Sequence, residues 1–544
     1  MTHSSIGAWL RSNKNVYVGN ATTVRDYRVQ LRGIRSILLF GLYLVILIAV
    51  AMFVYAQTAS RPDVSIVEAQ ADLRGFSTVI MILLGFAITL VAPGLTATAV
   101  VVERQRQSLD LVFSAPVTPK YYLVGKIMSS LRYTWMLLVL ALPITAASVV
   151  LGGASWTDVL IAYFLLSLQG LVLTAFALLI STIAAKPVGA IIWSYAATFL
   201  YNMFVFPLSV SYTVGRMFGG GGRGNAAPWW VTLSPFSVLD TARTYTEIGT
   251  HQIPNWIFAL CVTLLVCKIC LLGAGVLLSP SGGKEIYGLR IHALVYVAVM
   301  AFIVGWVTFS LGTYTDYTTA PTLSGSPITK VETLGTSILM GHLFAFCTAP
   351  LVLFVPFIAC FGFDRERRYW PNGVFSLRRI LDGTPGGGLP FLVSMLGVAV
   401  LAWFAGAWFG NKSLLRWPFW AFAFYTATFW IFFWAIGRLV SSFFAGLKTS
   451  RALVFALFLF LVALPFPFIT VIAGSSTDRT SAGPWDLYIL SPLLSMDDYR
   501  SSYAIIFGVI LATLSVIMVA VSEQRVKKKM AAVRRYDEQP VQAA

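Results

Sequence analysis

The chain has 544 residues, of which 58% are hydrophobic and only 11% are charged, which leaves too little polar surface to cover a water-soluble globule. This composition excludes a soluble protein and predicts an integral membrane protein. The formal net charge of +17 is explained by lysine and arginine kept on the inner side of membrane helices and drawn to anionic lipid, so nucleic-acid binding is not needed.

The first segment with a clear pattern precedes the first long apolar run and is typical of an amphipathic helix. Its apolar face is formed by Val24, Tyr27, Leu31 and Ile34, and its charged face by Arg25, Asp26, Arg28, Arg32 and Arg35. We expect this helix to lie in the membrane interface. Residues 1–35 are therefore predicted to be a cytoplasmic N-terminal segment, with no cleavable signal peptide.

Twelve apolar runs near the length of a membrane helix, about 20 residues, follow along the chain. They lie near 36–57, 76–102, 134–152, 158–183, 188–210, 256–278, 291–313, 335–362, 390–410, 415–440, 452–473 and 502–522. An even number places both termini on one side, and the distribution of lysine and arginine places that side in the cytoplasm. Residues 523–544 are predicted to form a basic cytoplasmic tail.

A strip rich in charge and proline, "VVERQRQSLDLVFSAPVTPKYYLVGK", separates the second and third runs at residues 101–126. Its ordered polar and proline residues are Glu103, Arg104, Arg106, Ser108, Asp110, Ser114, Pro116 and Pro119, followed by Gly125 and Lys126. This order resembles the segment after the second helix in the membrane subunits of type 2 ABC exporters. Asp110 stands where that family usually has Glu, and Gln105 and Gln107 stand where Glu and Gly are commoner.

The resemblance implies that this strip is a coupling helix, which docks into a groove of a separate ATPase. A short charged helix suits this role because it can form ion pairs with the ATPase, while Pro116 and Pro119 stop it and set its angle to the membrane. The helix at Val24–Ile34 is similar to one that meets the ATPase beside the coupling helix in the same family. The alternatives are an ordinary basic loop and a simple membrane anchor.

The two halves of the chain share three features in the same order, which predicts a fused duplication with repeats at 36–283 and 284–522. Glu103-Arg104 followed by "VFS" corresponds to Glu366-Arg367 followed by "VFS". "LLISTIAAKPVGAII" corresponds to "RLVSSFFAGLKTSRALV", and "PWWVTLSPFSVLD" to "PWDLYILSPLLSMD". The duplication implies two ATPase subunits for each chain.

The second half offers a weaker counterpart of the strip, and both halves have an aromatic external loop. A possible second coupling segment contains Asp364, Arg365, Glu366, Arg367 and Arg368, without the Ser-x-Pro-Val pattern. The external loops contain Trp229, Trp230, Pro235, Trp485 and Pro492, suited to an aromatic belt. In the family that the chain resembles, such loops contain short re-entrant helices that form an outer gate.

Acidic residues are missing from the central part of every predicted span, which argues against an ion-driven secondary transporter. The chain also lacks a Gly-x-x-x-x-Gly-Lys-Ser/Thr loop, so ATP and Mg²⁺ are expected to belong to the partner ATPase, and this chain is expected to bind no cofactor or metal and to have no catalytic residue. The function expected is export of a hydrophobic or amphipathic cargo across a bacterial-type inner membrane. The alternatives are a secondary transporter and a polyprenol-dependent glycosyltransferase that uses Asp497 and Asp498.

Overall fold

A computed structural model gives the fold of this protein. It describes residues 20–31, 33–59, 66–114, 118–150, 154–199, 202, 238–248, 251–278, 283–311, 388–410, 417–443 and 501–538. Contacts divide the chain into two compact units, Met1–Glu285 and Ile286–Ala544. Apart from one short hairpin, the regular structure of the described residues is helical.

The described residues of the first unit form ten helices. They are α1 (Ala21–Leu31), α2 (Ile34–Ala59), α3 (Ile66–Ala97), α4 (Val101–Gln105), α5 (Ser108–Ser114), α6 (Pro119–Val150), α7 (Trp156–Ile183), α8 (Pro187–Phe199), α9 (Val238–Arg243) and α10 (Asn255–Leu278). An antiparallel hairpin of β1 (Tyr245–Ile248) and β2 (His251–Pro254) lies between α9 and α10. Tyr245 pairs with Pro254 in its register.

The core of the first unit is built around α7, which packs against α3, α6 and α10. Of the apolar stretch of α7, 67% is buried, the highest share among the long apolar helices of the described part. Gly170 permits close approach of α6, because a Cβ atom there would lie 3.1 Å from the Thr134 methyl group. Polar side chains inside the bundle find partners on neighbouring helices, as in the 2.8 Å contact of Ser77 Oγ with Ser148 Oγ.

The second unit contains all but the first three residues of α11 (Gly283–Leu311), together with α12 (Gly388–Gly410), α13 (Trp417–Phe443) and α14 (Ser501–Glu538). The helices α13 and α14 pack along each other. Their approach is close at Gly508, where a Cβ atom would lie 2.8 Å from the Phe424 ring. Near one end of this pair the buried Arg438 guanidinium lies 3.7 Å from the Glu523 carboxylate.

Five helices of the described residues are long and apolar enough to cross a membrane. They are the stretch Gly75–Gln105, which covers most of α3 and all of α4, then α6 (Pro119–Val150), α7 (Trp156–Ile183) and α10 (Asn255–Leu278), and the segment Ile505–Arg525 of α14. A helix suits a bilayer because it bonds its backbone polar groups within itself. The helical class predicted from the sequence is therefore confirmed, with the length and composition of membrane spans. Twelve spans and a duplication stay predictions, since runs 335–362 and 452–473 lie outside the described residues.

Several helices differ in extent from the apolar runs that predicted them, and α6 and α14 differ most. α6 begins at Pro119, well before the expected start at residue 134, because Lys120, Lys126 and Arg132 break the apolar pattern without breaking the helix. α14 continues from the last apolar run through Glu538, into the segment expected as a tail. In both cases charged residues at the end of a helix hid its true length.

Candidate functional site

The strip at residues 101–126 folds as a tight pair of short helices followed by the start of α6. α4 and α5 are separated by Arg106 and Gln107, and Gln107 has a φ of 57° in the left-handed region. The Ser108 hydroxyl closes this turn by donating to the Glu103 carbonyl oxygen at 3.1 Å. A left-handed residue other than glycine costs about 1–2 kcal/mol, so the turn holds strain at the position where glycine is commoner in the family that the strip resembles.

A buried lysine near the start of α6, Lys126, forms ion pairs with carboxylates of α1 and α4. Lys126 Nζ lies 2.6 Å from Asp26 Oδ2 and 2.7 Å from Glu103 Oε1, and the lysine is only 5% exposed. The Tyr122 hydroxyl donates to Glu103 Oε2 at 2.6 Å. Arg25 Nη2 donates to Glu103 Oε1 at 2.8 Å. These five residues, which we call the Lys126 network, join α1, α4 and α6.

The Lys126 network is stable because each charge that leaves water meets a charge of the opposite sign. A buried lysine without partners would be strongly destabilising, whereas here two carboxylates neutralise it. Burial disfavours the charged form of Arg25, but Asp26 and Glu103 outweigh this effect and raise the pKa of the guanidinium above its ordinary value. Arg25 therefore stays charged and closes the exposed side of the network.

The start of α1 lies directly against the backbone of α6, and a glycine makes this approach possible. A Cβ atom at Gly125 would overlap the Thr22 hydroxyl oxygen. The Thr23 hydroxyl donates to the Gly125 carbonyl oxygen at 3.1 Å. Asn20, which precedes the first turn of α1, donates from Nδ2 to the Tyr121 carbonyl oxygen at 2.8 Å. In the Gly-Lys pair of the strip, Gly125 thus permits the close approach of α1, and Lys126 binds the Asp26 carboxylate of that helix.

Arg104 connects α4 with the C-terminal end of α7. Its guanidinium donates to the Thr182 carbonyl oxygen at 2.8 Å and to the Ala184 carbonyl oxygen at 3.4 Å. Gln105 Nε2 donates to the Ala185 carbonyl oxygen at 3.4 Å. A cation at this place satisfies unbonded carbonyl groups and complements the negative end of the helix dipole. The turn after α4 and the turn after α7 are therefore held side by side.

The apolar face of α5 packs into a cluster below the Lys126 network. Leu109 is buried there with Tyr122, and the Phe113 ring meets the Tyr122 ring edge-on at 5.8 Å between centroids. Cys267 and Cys270 of α10 are buried in the same cluster, where they pack as small apolar side chains. Among the described residues, no group of three or more His, Cys, Asp or Glu is arranged to hold a metal ion.

The charged residues of the strip divide into an inward set and an outward set. Glu103 and Arg104 are engaged within the protein, whereas Gln105, Arg106 and Gln107 are exposed. The sequence predicted contact with an ATPase for Glu103, Arg104, Arg106, Asp110 and Lys126. In the structure, Glu103 and Arg104 hold the strip in place, whereas Arg106 and Lys120 are exposed to a partner.

The other predicted residues of the strip have structural positions that refine their roles. Ser114 ends α5, and Asp110 lies within this helix. Pro119 is the first residue of α6, behind a Thr118 side chain that accepts from the Tyr121 amide at 3.3 Å. Pro119 thus begins a helix, which suits its fixed φ, where the sequence suggested that it stops one. Pro116 lies outside the described residues.

The predicted interfacial helix, Ala21–Leu31, begins and ends three residues earlier than Val24–Ile34 and packs along α6. Tyr27 points towards α6, where its hydroxyl lies 3.8 Å from Met136 Sδ. Val24 is half-buried, and Arg28 is exposed. Ile34, predicted on the same apolar face, is instead the first residue of α2 and is 74% exposed. Leu31 ends α1, and Arg32 lies outside the described residues.

Sequence reasoning missed several residues that hold the strip. Asp26 was assigned to a charged outer face, yet it faces Lys126, and its signal was a single acid among arginines. Tyr122 gave no signal. Ser181 of α7 also gave none, although its hydroxyl accepts the amide groups of Val100 and Val101 at 3.1 and 3.3 Å.

The remaining predicted sites fall outside the described residues. They are the second coupling segment (Asp364, Arg365, Glu366, Arg367 and Arg368), the external gate (Trp229, Trp230, Pro235, Trp485 and Pro492) and the carboxylates of the alternative enzyme site (Asp497 and Asp498). No protein-family model, curated protein or solved structure matches the chain.

Proposed function

We propose that the chain is the membrane-spanning permease subunit of an ATP-driven ABC transporter of the type 2 exporter class, in a bacterial-type inner membrane. The observation that supports this most is the construction of the strip at residues 101–126. Its order of residues resembles that of a coupling helix. Arg106, in the turn between α4 and α5, is exposed, while Glu103, Arg104 and Leu109 hold the strip against the neighbouring helices.

A coupling element has to transmit a push without yielding, and the contacts of the strip suit this need. The Lys126 network ties α4 to α1 and α6, and Arg104 ties it to α7. Leu109 on α5 is buried against α6 and α10. A displacement of the tip would therefore reach the long helices together, since close-packed elements move as bodies and are not continuously deformable.

In this proposal the chain provides the path and separate ATPase subunits provide the energy. ATP and Mg²⁺ bind to the ATPase subunits, two of which serve one duplicated chain. The path alternates its access between the two sides of the membrane, and its apolar lining suits a hydrophobic or amphipathic cargo.

Affinity purification of the tagged full-length chain from its native membrane tests this function. The proposal expects a protein with a Gly-x-x-x-x-Gly-Lys-Ser/Thr loop to co-purify, in a ratio of two to one chain. Sugar transfer from a polyprenol carrier, or uptake driven by an ion gradient, by the purified chain alone would contradict it and support one of the alternatives.

A further inference from the structure

Two exposed cations, Arg106 and Lys186, lie where the turn after α4 meets the turn after α7. Arg104 connects these two turns, and we call their contact the joint. Gln105 Nε2 donates to the Ala185 carbonyl oxygen, and the residues that follow this bonded pair are Arg106 and Lys186. Both side chains are exposed. Neither forms an ion pair with any residue that the structure describes. The turn after α4 and the turn after α7 thus present one positive charge each, side by side.

The acidic side chains described beside this joint already form ion pairs within the protein. Asp26 and Glu103 are 15% and 17% exposed, and both bind Lys126 inside the Lys126 network. Arg25, which lies on Glu103, adds a cation that is 52% exposed. Arg25, Arg106 and Lys186 are therefore the exposed charges among the described side chains at the joint.

We propose that the partner at this joint is the ATPase, and that it presents an acidic face which receives Arg106 and Lys186 together. This inference rests on the proposed function and specifies the chemistry of the docking surface. It extends that surface beyond the strip at residues 101–126 to the turn at Ala184–Lys186, which no motif indicated. Arg104 is a positioning residue here, since it binds the turn after α7 to the turn that carries Arg106 without facing the partner.

A fixed spacing favours a protein partner over the membrane surface. Lipid headgroups diffuse, so attraction to an anionic membrane depends on the number of nearby cations and needs no defined distance between them. A folded acidic face has its carboxylates at set positions, and complementary charges then improve both the association rate and the register of docking. The Arg104 guanidinium binds two carbonyl groups at the end of α7 and so holds the two turns together. Such a fixed arrangement suits a folded protein partner better than a lipid surface.

The test uses the full-length chain in nanodiscs and the ATPase that co-purifies with it. The variant Arg106→Glu/Lys186→Glu is compared with Lys527→Glu/Lys528→Glu, a change of equal charge at exposed residues of α14. We expect the first variant to bind the ATPase about tenfold or more weakly and with a flatter salt dependence, because attraction between the two faces becomes repulsion. The control variant should bind like the wild type.

The role of Arg104 needs a readout that misfolding would not reproduce. Arg104→Gln should weaken binding while leaving the salt dependence as steep as in the wild type, because Arg106 and Lys186 are still present. A general loss of fold would instead lower the fraction of chain that binds, without a uniform change in affinity.

Three results would overturn the acidic-face proposal. If the ATPase binds Arg106→Glu/Lys186→Glu as tightly as the wild type, it docks elsewhere, although the permease function stands. If the effect of the variant is seen in phosphatidylglycerol nanodiscs and vanishes in phosphatidylcholine nanodiscs, the joint binds lipid. If no ATPase co-purifies with any form of the chain, both the permease function and the acidic face are wrong.

Discussion

Lys126 is the side chain on which the fold of the strip depends most. It lies 2.6 Å from one carboxylate of α1 and 2.7 Å from one of α4, and it is nearly excluded from water. Without its charge, Asp26 and Glu103 would repel each other and would share only Arg25, which is 52% exposed, as a counterion. Replacing one partner of a buried ion pair is far more harmful than replacing the pair as a whole.

Lys126→Met should therefore lower the free energy of unfolding by about 3–5 kcal/mol, measured as thermal unfolding in detergent. The exposed Arg28→Gln serves as the control and should change it by less than about 0.5 kcal/mol. The double variant Lys126→Met/Glu103→Gln should recover part of the loss, because it removes the repulsion between the carboxylates. A double variant less stable than Lys126→Met would show that the two carboxylates do not repel.

Gln107 is a second residue whose conformation has a measurable consequence. Its φ of 57° lies in the region that glycine adopts without steric cost. Gln107→Gly should raise the free energy of unfolding by about 1 kcal/mol, since relief of the strain exceeds the entropy that glycine adds to the unfolded chain. Gln107→Ala is the matched control, because it also removes the exposed side chain but keeps the Cβ atom. Equal stability of the two variants would argue against strain at this turn.

At the scale of elements, the contact of α1 with α6 attaches the segment before the first span to the strip. The sequence predicts α1 from its alternating faces, and it predicts the charged motif of the strip. It does not predict that the two segments meet, because the pairing of Asp26 with Lys126 joins residues far apart in the chain. A glycine in a helix, such as Gly125, has no distinct pattern in the sequence, yet it decides how closely α1 approaches.

Gly125→Ala should disturb this contact, because the new methyl group would overlap the Thr22 hydroxyl. The expected loss in free energy of unfolding is about 1–3 kcal/mol, as for other overpacked sites. Gly189→Ala in α8 is the control, since nothing lies within 4 Å of its Cβ position, and it should leave stability unchanged or increase it. Thermal unfolding of both variants in one detergent gives the comparison, and similar losses in both would contradict a close α1–α6 contact.

The limits of sequence reasoning at this scale are visible in α6 and α14. Apolar runs predict the position of membrane helices because their interiors lack charge. They do not predict where a helix begins or ends when lysine or arginine lies within its first or last turns, as at Lys120, Lys126 and the basic end of α14. Whether such a cation is tolerated depends on a partner in space, which for Lys126 comes from two other helices.

For the whole molecule, we propose that this chain provides the membrane path and that a partner provides the energy. The chain has helices suited to the membrane and a firmly anchored strip with an exposed cationic tip. In this proposal ATP is hydrolysed by separate ATPase subunits, which contact the strip from the cytoplasm and displace it. The resemblance of the strip to a coupling helix is the link between the two, and it is supported by the way that Glu103 and Arg104 brace the segment while Arg106 is left outside.

The rate of ATP hydrolysis by the co-purifying ATPase, measured with and without this chain in lipid nanodiscs, tests the central claim most directly. The account predicts slow hydrolysis by the ATPase alone, and a marked increase when the wild-type chain is present, because docking at the strip couples the two cycles. An ATPase whose rate is the same with and without the chain would contradict the proposed function.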